Sequence, residues 1–363
     1  MNIIFVCKRF YTNKDVIQDR YGRLYYLPTK LAQRGHHVTV FCLDYKNIKP
    51  IHSRVEYFDK GGSIEWINLT FLYIIFFNFF HILSKSKKAD LIIGSSDIPC
   101  LYMAKKLSRI FRKVYIVDLY DNFESFGQAK IFGFKKILKE CIEQAYKIIC
   151  VSETLKDKIY KQYKLKQSIY VMPNGVSNQY FYKADKIQAR KELQLPLNGM
   201  LIGTAGELSI MKGLAEIYEA WNKLEQLSTN TYLILAGKID KKLPLPPSKR
   251  VIYLGQLKEE NVGRLFRALD VGLIPAQDSD FGKYCFPQKM YEMLSCDLLI
   301  VAAKVGEISK VLKDYPNHLY EPKKTEDIRE KILYQLNHKK KICIPCLTWD
   351  QLIADLDEKL IKL

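Results

Sequence analysis

Short, continuous apolar runs alternate with amphipathic helical patterns along almost the whole chain, and this alternation constrains the fold more than any other feature. In the first half, strands are expected at residues 2–6, 37–43, 90–94, 114–117, 148–151 and 169–172. Helices are expected between them at 20–34, 66–84, 99–112, 132–145 and 153–163. A strand that is apolar at every position is buried on both faces. That calls for a parallel sheet covered by crossover helices. Pro173, Asn174 and Gly175 then read as a turn, after which the alternation restarts. Strands are expected at 201–205, 231–236, 251–254, 271–275, 298–302 and 318–320. Helices are expected at 213–227, 259–269, 287–294, 307–312 and 325–336, and 348–363 reads as one more amphipathic helix.

The expected fold class is therefore α/β, with two doubly wound Rossmann-like domains facing an interdomain cleft. The boundaries read as 1–175, 176–345 and a closing segment at 346–363. A chain of 363 residues has the length for two domains. Ligands of open α/β sheets bind outside the carboxyl ends of the strands, so chemistry is sought in the loops that follow strands.

Charge is uneven. The first 176 residues carry 29 Lys and Arg against 15 Asp and Glu, and the rest carry 28 against 24. A basic first half suits an anionic partner such as lipid head groups, a phosphorylated substrate or nucleic acid. Nucleic acid is disfavoured, because no basic helix with base-reading spacing and no aromatic sheet motif is present. No basic n-region or cleavage site precedes the first strand, so a cytoplasmic location is expected. The nine cysteines lie mostly in apolar runs, as reduced buried thiols do. Cys343 and Cys346 have half-site spacing, but only His338 is close in sequence as a further zinc ligand. The aromatic run FLYIIFFNFF at 71–80, extended to 66–83, has 18 residues, near the lower limit for a membrane span. Asn68, Asn78 and His81 interrupt it, so it is read as a buried or half-buried helix, with a membrane surface as the alternative.

Two loops carry residues suited to a nucleotide. GTAGELSIMKG, residues 203–213, follows a strand and opens a helix. Gly206 permits a tight turn, the helix start offers N–H groups to an anion, and Lys212 adds a cation; the alternative is an ordinary strand-to-helix turn with a surface lysine. The spacing is neither a P-loop nor a dinucleotide fingerprint. The second stretch is FPQKMYEML, residues 286–294, preceded by the long loop AQDSDFGKYC. Pro287 suits a first helical turn. Lys289 and Glu292 follow it three residues apart, either as a surface ion pair or as ligands. A carboxylate there can accept from two vicinal hydroxyls of a ribose.

These segments, taken in order, resemble glycosyltransferase family 4, with the GT-B architecture. LAQRGHHVTVFC resembles the family's first helix end and second strand. CVSETLKDKI followed by VMPNGVSNQYF resembles the end of its N-terminal domain. GELSIMKG resembles the diphosphate loop, VIYLGQL and LDVGLIPA the strands beside the base pocket, FPQKMYEMLSCDLLIVA the donor helix and next strand, and LTWDQLIADL the closing helix. The resemblance implies a nucleotide sugar, such as a UDP-sugar, held by the C-terminal domain. It implies a saccharide or lipid-linked acceptor held by the N-terminal domain, and transfer with retention and no obligatory metal or other cofactor. Glu292 matches the ribose glutamate and Lys212 the diphosphate lysine, whose fixed charge also serves catalysis. Gly255, Gln256 and Leu257 match a backbone stretch at the base. Gly206, Glu207 and Lys289 complete the expected donor set.

This sequence departs from the family in four places. Glu207 stands where the family has Arg, so Arg20, Arg23 or Lys289 is expected to compensate. Tyr284 stands where a second glutamate is common, with Asp278 and Asp280 as the nearest earlier acids. The N-terminal histidine is absent, and Asp118 and Asp121 are the candidate catalytic groups in its place, with turn and cap residues as the alternative. The loop at Gly22 lacks the usual Gly-Gly pair, and Arg20, Gly22 and Arg23 are candidates for phosphate or acceptor contacts. Family members build bacterial surface polysaccharides and glycolipids at the inner membrane face. An anionic membrane surface is accordingly expected to meet residues 130–139, KIFGFKKILK, together with 105–113, KKLSRIFRK. Rival readings are another nucleotide-sugar enzyme of the same architecture (an epimerase or an inverting transferase) and, remotely, a nucleic-acid-binding protein.

Overall fold

The computed structural model describes residues 1–11, 14–47, 54–70 and 79–361. The chain divides into two units, one formed by Met1–Gly175 with Trp349–Leu363 and the other by Val176–Thr348. In the first, every apolar run expected as a strand joins one sheet. Its strands are β1 (Asn2–Lys8), β2 (His37–Asp44), β3 (Arg54–Tyr57), β4 (Ser63–Thr70), β5 (Leu91–Ser95), β6 (Val114–Leu119), β7 (Lys147–Cys150) and β8 (Ile169–Val171). They lie in the order β8-β7-β6-β5-β1-β2-β4-β3, all pairs parallel except β3 with β4. Helices α1 (Arg23–Gln33), α2 (Phe79–Lys88), α3 (Ile98–Phe111), α4 (Phe134–Glu143) and α5 (Glu153–Gln162) connect them. Strand order runs outward in both directions from β1. The neighbours β1 and β5 therefore flank a topological switch point, where crossovers leave opposite faces and open a crevice.

The helix expected over 66–84 is shorter than that. Ser63–Thr70 is β4, paired in register with β2, and the helix is confined to Phe79–Lys88. Residues 71–78 of the aromatic run lie outside the described residues. Ile64 and Trp66 are buried while Ser63 and Glu65 are half-buried, the period-two pattern of a strand. Trp66 stacks on Tyr25 of α1 at 5.6 Å between ring centroids. Pairing and this packing decide the segment's state, as they commonly do for strands.

The second unit is built on β9 (Met200–Ala205), β10 (Thr231–Ala236), β11 (Val251–Tyr253), β12 (Val271–Ile274), β13 (Leu299–Ala303) and β14 (Leu319–Tyr320). The order is β11-β10-β9-β12-β13-β14, with every pair parallel. Here the switch point lies between β9 and β12. Its helices are α6 (Lys186–Glu192), α7 (Leu214–Leu227), α8 (Glu259–Ala268), α9 (Asp280–Tyr284), α10 (Gln288–Ser295), α11 (Gly306–Val311) and α12 (Thr325–His338). Apolar cores on the two faces of this sheet are anchored by Phe266 and Met290 on one side and by Trp221 and Leu235 on the other.

The last helix, α13 (Trp349–Leu356), begins three residues past the expected start of the closing segment and returns to the first unit. Trp349 stacks on Tyr26 of α1 at 5.4 Å. Asp357 accepts from Arg34 at 2.7 Å and lies 2.9 Å from His36. No helix among the described residues is long and apolar enough to cross a membrane.

Candidate functional site

The switch point of the second unit is lined by the residues that the sequence singles out. After β9 the chain turns at Gly206, whose φ of 125° only glycine adopts freely. It then passes through a tight turn at Ile210–Lys212 into α7. On the other side of the switch point β12 runs into Pro275, Ala276 and Gln277. Beside the end of β12 is a cavity of about 180 Å³ lined by Lys212, Lys289, Phe281, Cys285, Pro275, Ala276 and Gln277. The ammonium of Lys212 lies 3.9 Å from the centre of the Phe281 ring.

Lys289 and Glu292 are carried by α10. Pro287 stands one position before the helix, as its cap. Glu292 is half-buried one turn in, and Glu207 is exposed. Lys289 is half-buried too, and its side chain lies across Gly206, where an added Cβ would come within 2.7 Å of Cε. Burial pushes the Lys289 ammonium down to about 8, and the neighbouring Lys212 charge pushes the same way. Glu292, Cys285 and Glu207 pull in the other direction without restoring it. Two cations thus line one cavity with incomplete neutralisation, an arrangement that an anion between them would relieve.

Gly255, Gln256 and Leu257 follow β11, at the outer end of the same edge. The Gly255 carbonyl accepts from the Gly237 N–H at 2.7 Å, and Gly206 N–H donates to Ala236 O at 2.8 Å. Gly237 has φ 127° and presses against Gly206, whose carbonyl carbon would lie 2.6 Å from a Cβ there. Three consecutive strand ends are thereby joined through glycine backbone. Sequence reasoning missed Gly237 and Phe281. The first stood in view as the glycine ending the run YLILAG, whereas nothing local marked Phe281.

In the first unit the structure pairs two of the expected residues. Arg23 and Asp118 are fully buried against each other. Arg23 Nη2 donates to Asp118 Oδ1 at 2.7 Å, and Nε donates to both carboxylate oxygens at 3.0 Å. Ser95 Oγ donates to Asp118 Oδ2 at 2.8 Å, and Arg23 Nη1 reaches the carbonyls of Met172 and Pro173. With its oxygens taken and no solvent exposure, Asp118 sits with Arg23 in the surroundings of a structural ion pair. The pair ties α1 to β6 and to the end of β8. Asp121 is half-buried and accepts from the Asn122 N–H at 2.7 Å. Arg20 is exposed, and Gly22, at φ 71°, caps α1 through its carbonyl, which accepts from Tyr25 and Tyr26. The structure therefore gathers Gly206, Glu207, Lys212, Lys289 and Glu292, but not Arg20, Gly22, Arg23, Asp118 and Asp121 into a second such cluster.

Cys343 is exposed and Cys346 half-buried, and neither is in a disulfide. Among the described residues no group of three or more His, Cys, Asp or Glu is placed to hold a metal ion.

Two Rossmann-like units on parallel sheets are the architecture of the GT-B glycosyltransferases. The chain belongs to glycosyltransferase family 4. Residues 23–180 match the family described as Glycosyltransferase Family 4, and residues 185–342 match Glycosyl transferases group 1. It is 24% identical over 245 residues to TuaC of Bacillus subtilis strain 168, a putative teichuronic acid biosynthesis glycosyltransferase, covering 67% of this chain and 60% of that protein. It is 23% identical over 355 residues to the phosphatidylinositol N-acetylglucosaminyltransferase GPI3 subunit of Saccharomyces cerevisiae, covering 88% of this chain and 70% of that one. With the D-inositol 3-phosphate glycosyltransferase of Acidothermus cellulolyticus it shares 25% identity over 164 residues, 40% of this chain and only 35% of that protein. Among solved structures, Anabaena HepE in complex with UDP superimposes with a TM-score of 0.74 at 16% identity over 100% of both chains. Sucrose-phosphate synthase of Thermosynechococcus elongatus gives 0.72 at 16% identity, over 100% of this chain and 99% of that one. At such identity these two likenesses concern the fold.

Proposed function

We propose that this glycosyltransferase moves a hexose-type sugar from a nucleoside-diphosphate donor, foremost a UDP-sugar, to a hydroxyl of a saccharide or lipid-linked acceptor, with retention at the anomeric carbon. One observation carries the reading. Lys212 and Lys289 crowd their charges at the switch point of the second unit, on the loop and helix that also hold Gly206 and Glu292. The diphosphate sits between the two ammonium groups, and its negative charge grows as the glycosidic bond to the sugar breaks. Fixed cations stabilise that growth without reorganising. They take over the charge that Glu207 removes from the loop, and no obligatory metal is assigned. Glu292 accepts from the ribose hydroxyls, and the Gly255–Leu257 backbone meets the base. HepE, solved with UDP and with UDP-glucose, supports the choice of nucleotide.

The route is surface polysaccharide or glycolipid synthesis, in keeping with the names of the Bacillus and yeast relatives. The exposed segment before and along α4 supports a peripheral place on an anionic membrane at the inner face of the plasma membrane. Ile131 is 53% and Phe132 102% exposed, and Lys130, Lys135, Lys136 and Lys139 are exposed around them. Lys106, Arg109 and Arg112 on and beside α3 extend the basic face, whereas Lys105 is buried and tied to Glu140 at 2.9 Å. Apolar side chains ringed by cations suit the head-group boundary.

The test is a thermal-shift panel of nucleoside diphosphates and nucleotide sugars with EDTA present. The cognate donor should raise the midpoint by mass action. No response to any of them sinks the donor assignment. Product anomeric configuration, read by NMR, decides retention, and sedimentation with anionic vesicles at low salt decides the membrane.

A further inference from the structure

The first unit has its own switch point, and an unused cation stands at its mouth. Lys8 is the last residue of β1, and Ser96 follows β5, the neighbouring strand. Ser96 has φ 82°, a left-handed conformation that non-glycine residues rarely hold. In that conformation its Oγ accepts from the Lys8 backbone N–H at 2.8 Å, and its carbonyl accepts from Tyr120 Oη at 3.2 Å. The Lys8 ammonium faces three rings, 5.3 Å from Phe126, 5.7 Å from Tyr11 and 5.8 Å from Tyr120. Tyr11 and Tyr120 meet edge to face at 5.2 Å. Among the described residues, no carboxylate pairs with Lys8 Nζ and no oxygen accepts a hydrogen bond from it. Asp97, next to Ser96, caps α3 with Oδ1 and accepts from Tyr45 with the same atom.

We propose that Lys8 and the rings of Tyr11 and Phe126, backed by the buried Ser96 and Tyr120, form a binding site for an anionic saccharide, a sugar bearing a phosphate or a carboxylate. It rests on the reading that the first unit holds a saccharide acceptor. Three features converge on this class. Open sheets bind ligands at the switch point. A partly enclosed ammonium without a counter-charge gains most from an anion. The negative faces of aromatic rings take the weakly positive C–H edges of a sugar, a contact that a bare ion does not require. The strained Ser96 backbone holds Lys8 and Tyr120 in place, as preorganised sites commonly do.

Saturation-transfer NMR on the full chain, without nucleotide, tests this with D-glucose 6-phosphate, D-glucuronate and D-glucose. At least one anionic sugar should exceed glucose by about fivefold, the effect of a single charge-assisted contact, and the stronger of the two names the anion. Lys8→Gln should bring it to the glucose level and Lys8→Arg should keep the preference. Arg109→Gln, which removes an exposed cation of α3, should also keep it. Equal signals for all three sugars overturn the proposal. So does a preference that survives Lys8→Gln, or one that Arg109→Gln abolishes equally. Unchanged circular dichroism of Lys8→Gln excludes misfolding as the cause. Failure of UDP to bind would overturn the donor reading alone, because the sugar signals are read without it.

Discussion

Arg23 and Asp118 face each other at 2.7 Å with neither side chain exposed to solvent, and Ser95 holds the second carboxylate oxygen. A buried pair of this kind is costly to break, because the surviving partner is left charged without water. Arg23→Met should therefore destabilise the protein by about 3–5 kcal/mol. Urea unfolding measures it, and a loss below about 1 kcal/mol, the range of exposed pairs, would remove the structural role assigned to both residues.

Lys289 should give donor binding a distinct pH dependence. In the free protein it is charged below about 8 and neutral above. A diphosphate holds the charged form, so UDP affinity should be greatest below that value and fall as pH rises through it. Isothermal titration across the range should show the step in the wild type and not in Lys289→Met.

Stability without UDP should run the other way. The folded-state value of about 8 lies below the unfolded value of about 10.4. Between them the unfolded chain binds more protons, so this group makes stability rise with pH there. Below about 8 the protein carries a charge that folding disfavours. Lys289→Met should thus raise the thermal midpoint at neutral pH while weakening UDP. A variant that lowers both would contradict the assignment.

Gly206→Ala tests the glycine turn. At φ 125° alanine is strained, and its Cβ would collide with Lys289. A cost above about 1 kcal/mol is expected from the backbone alone, with UDP affinity lost because Lys289 must move. Retained affinity would show that the cation does not need that position.

Glu292→Ala should remove charge-assisted hydrogen bonds of about 1.5–3 kcal/mol and weaken UDP about tenfold or more. Affinity for 2′,3′-dideoxy-UDP should change little, since that ligand lacks the hydroxyls Glu292 would hold. Equal losses for both nucleotides would place Glu292 elsewhere in the site.

Much of the fold was legible before any coordinates. Each run read as a strand is one, because a short, mostly apolar run between turn residues has few other ways to hide from water. The aromatic run misled at its start. Trp66 belongs to a strand whose partner, β2, is distant in sequence, so the hydrogen bonds that hold it could not be seen locally. Lys8 was overlooked for a different reason. A lysine ending an apolar run looks like an ordinary boundary until Tyr11, Tyr120 and Phe126 are brought around it.

The linear order of residues determined the alternation, the restart after Gly175 and the glycine and proline turns, since these depend on each segment's own backbone and burial preferences. It also marked Lys212, Lys289 and Glu292 as chemically fit for a nucleotide. The tertiary structure alone decided what became of each charge. Folding enclosed Arg23 with Asp118, so their charges cancel inside the protein. It set Lys289 near enough to Lys212 for that charge to disfavour its own, and among the described residues it paired no carboxylate with Lys8. Electrostatic energy depends on distance and on exclusion of water, and both are properties of the packed chain.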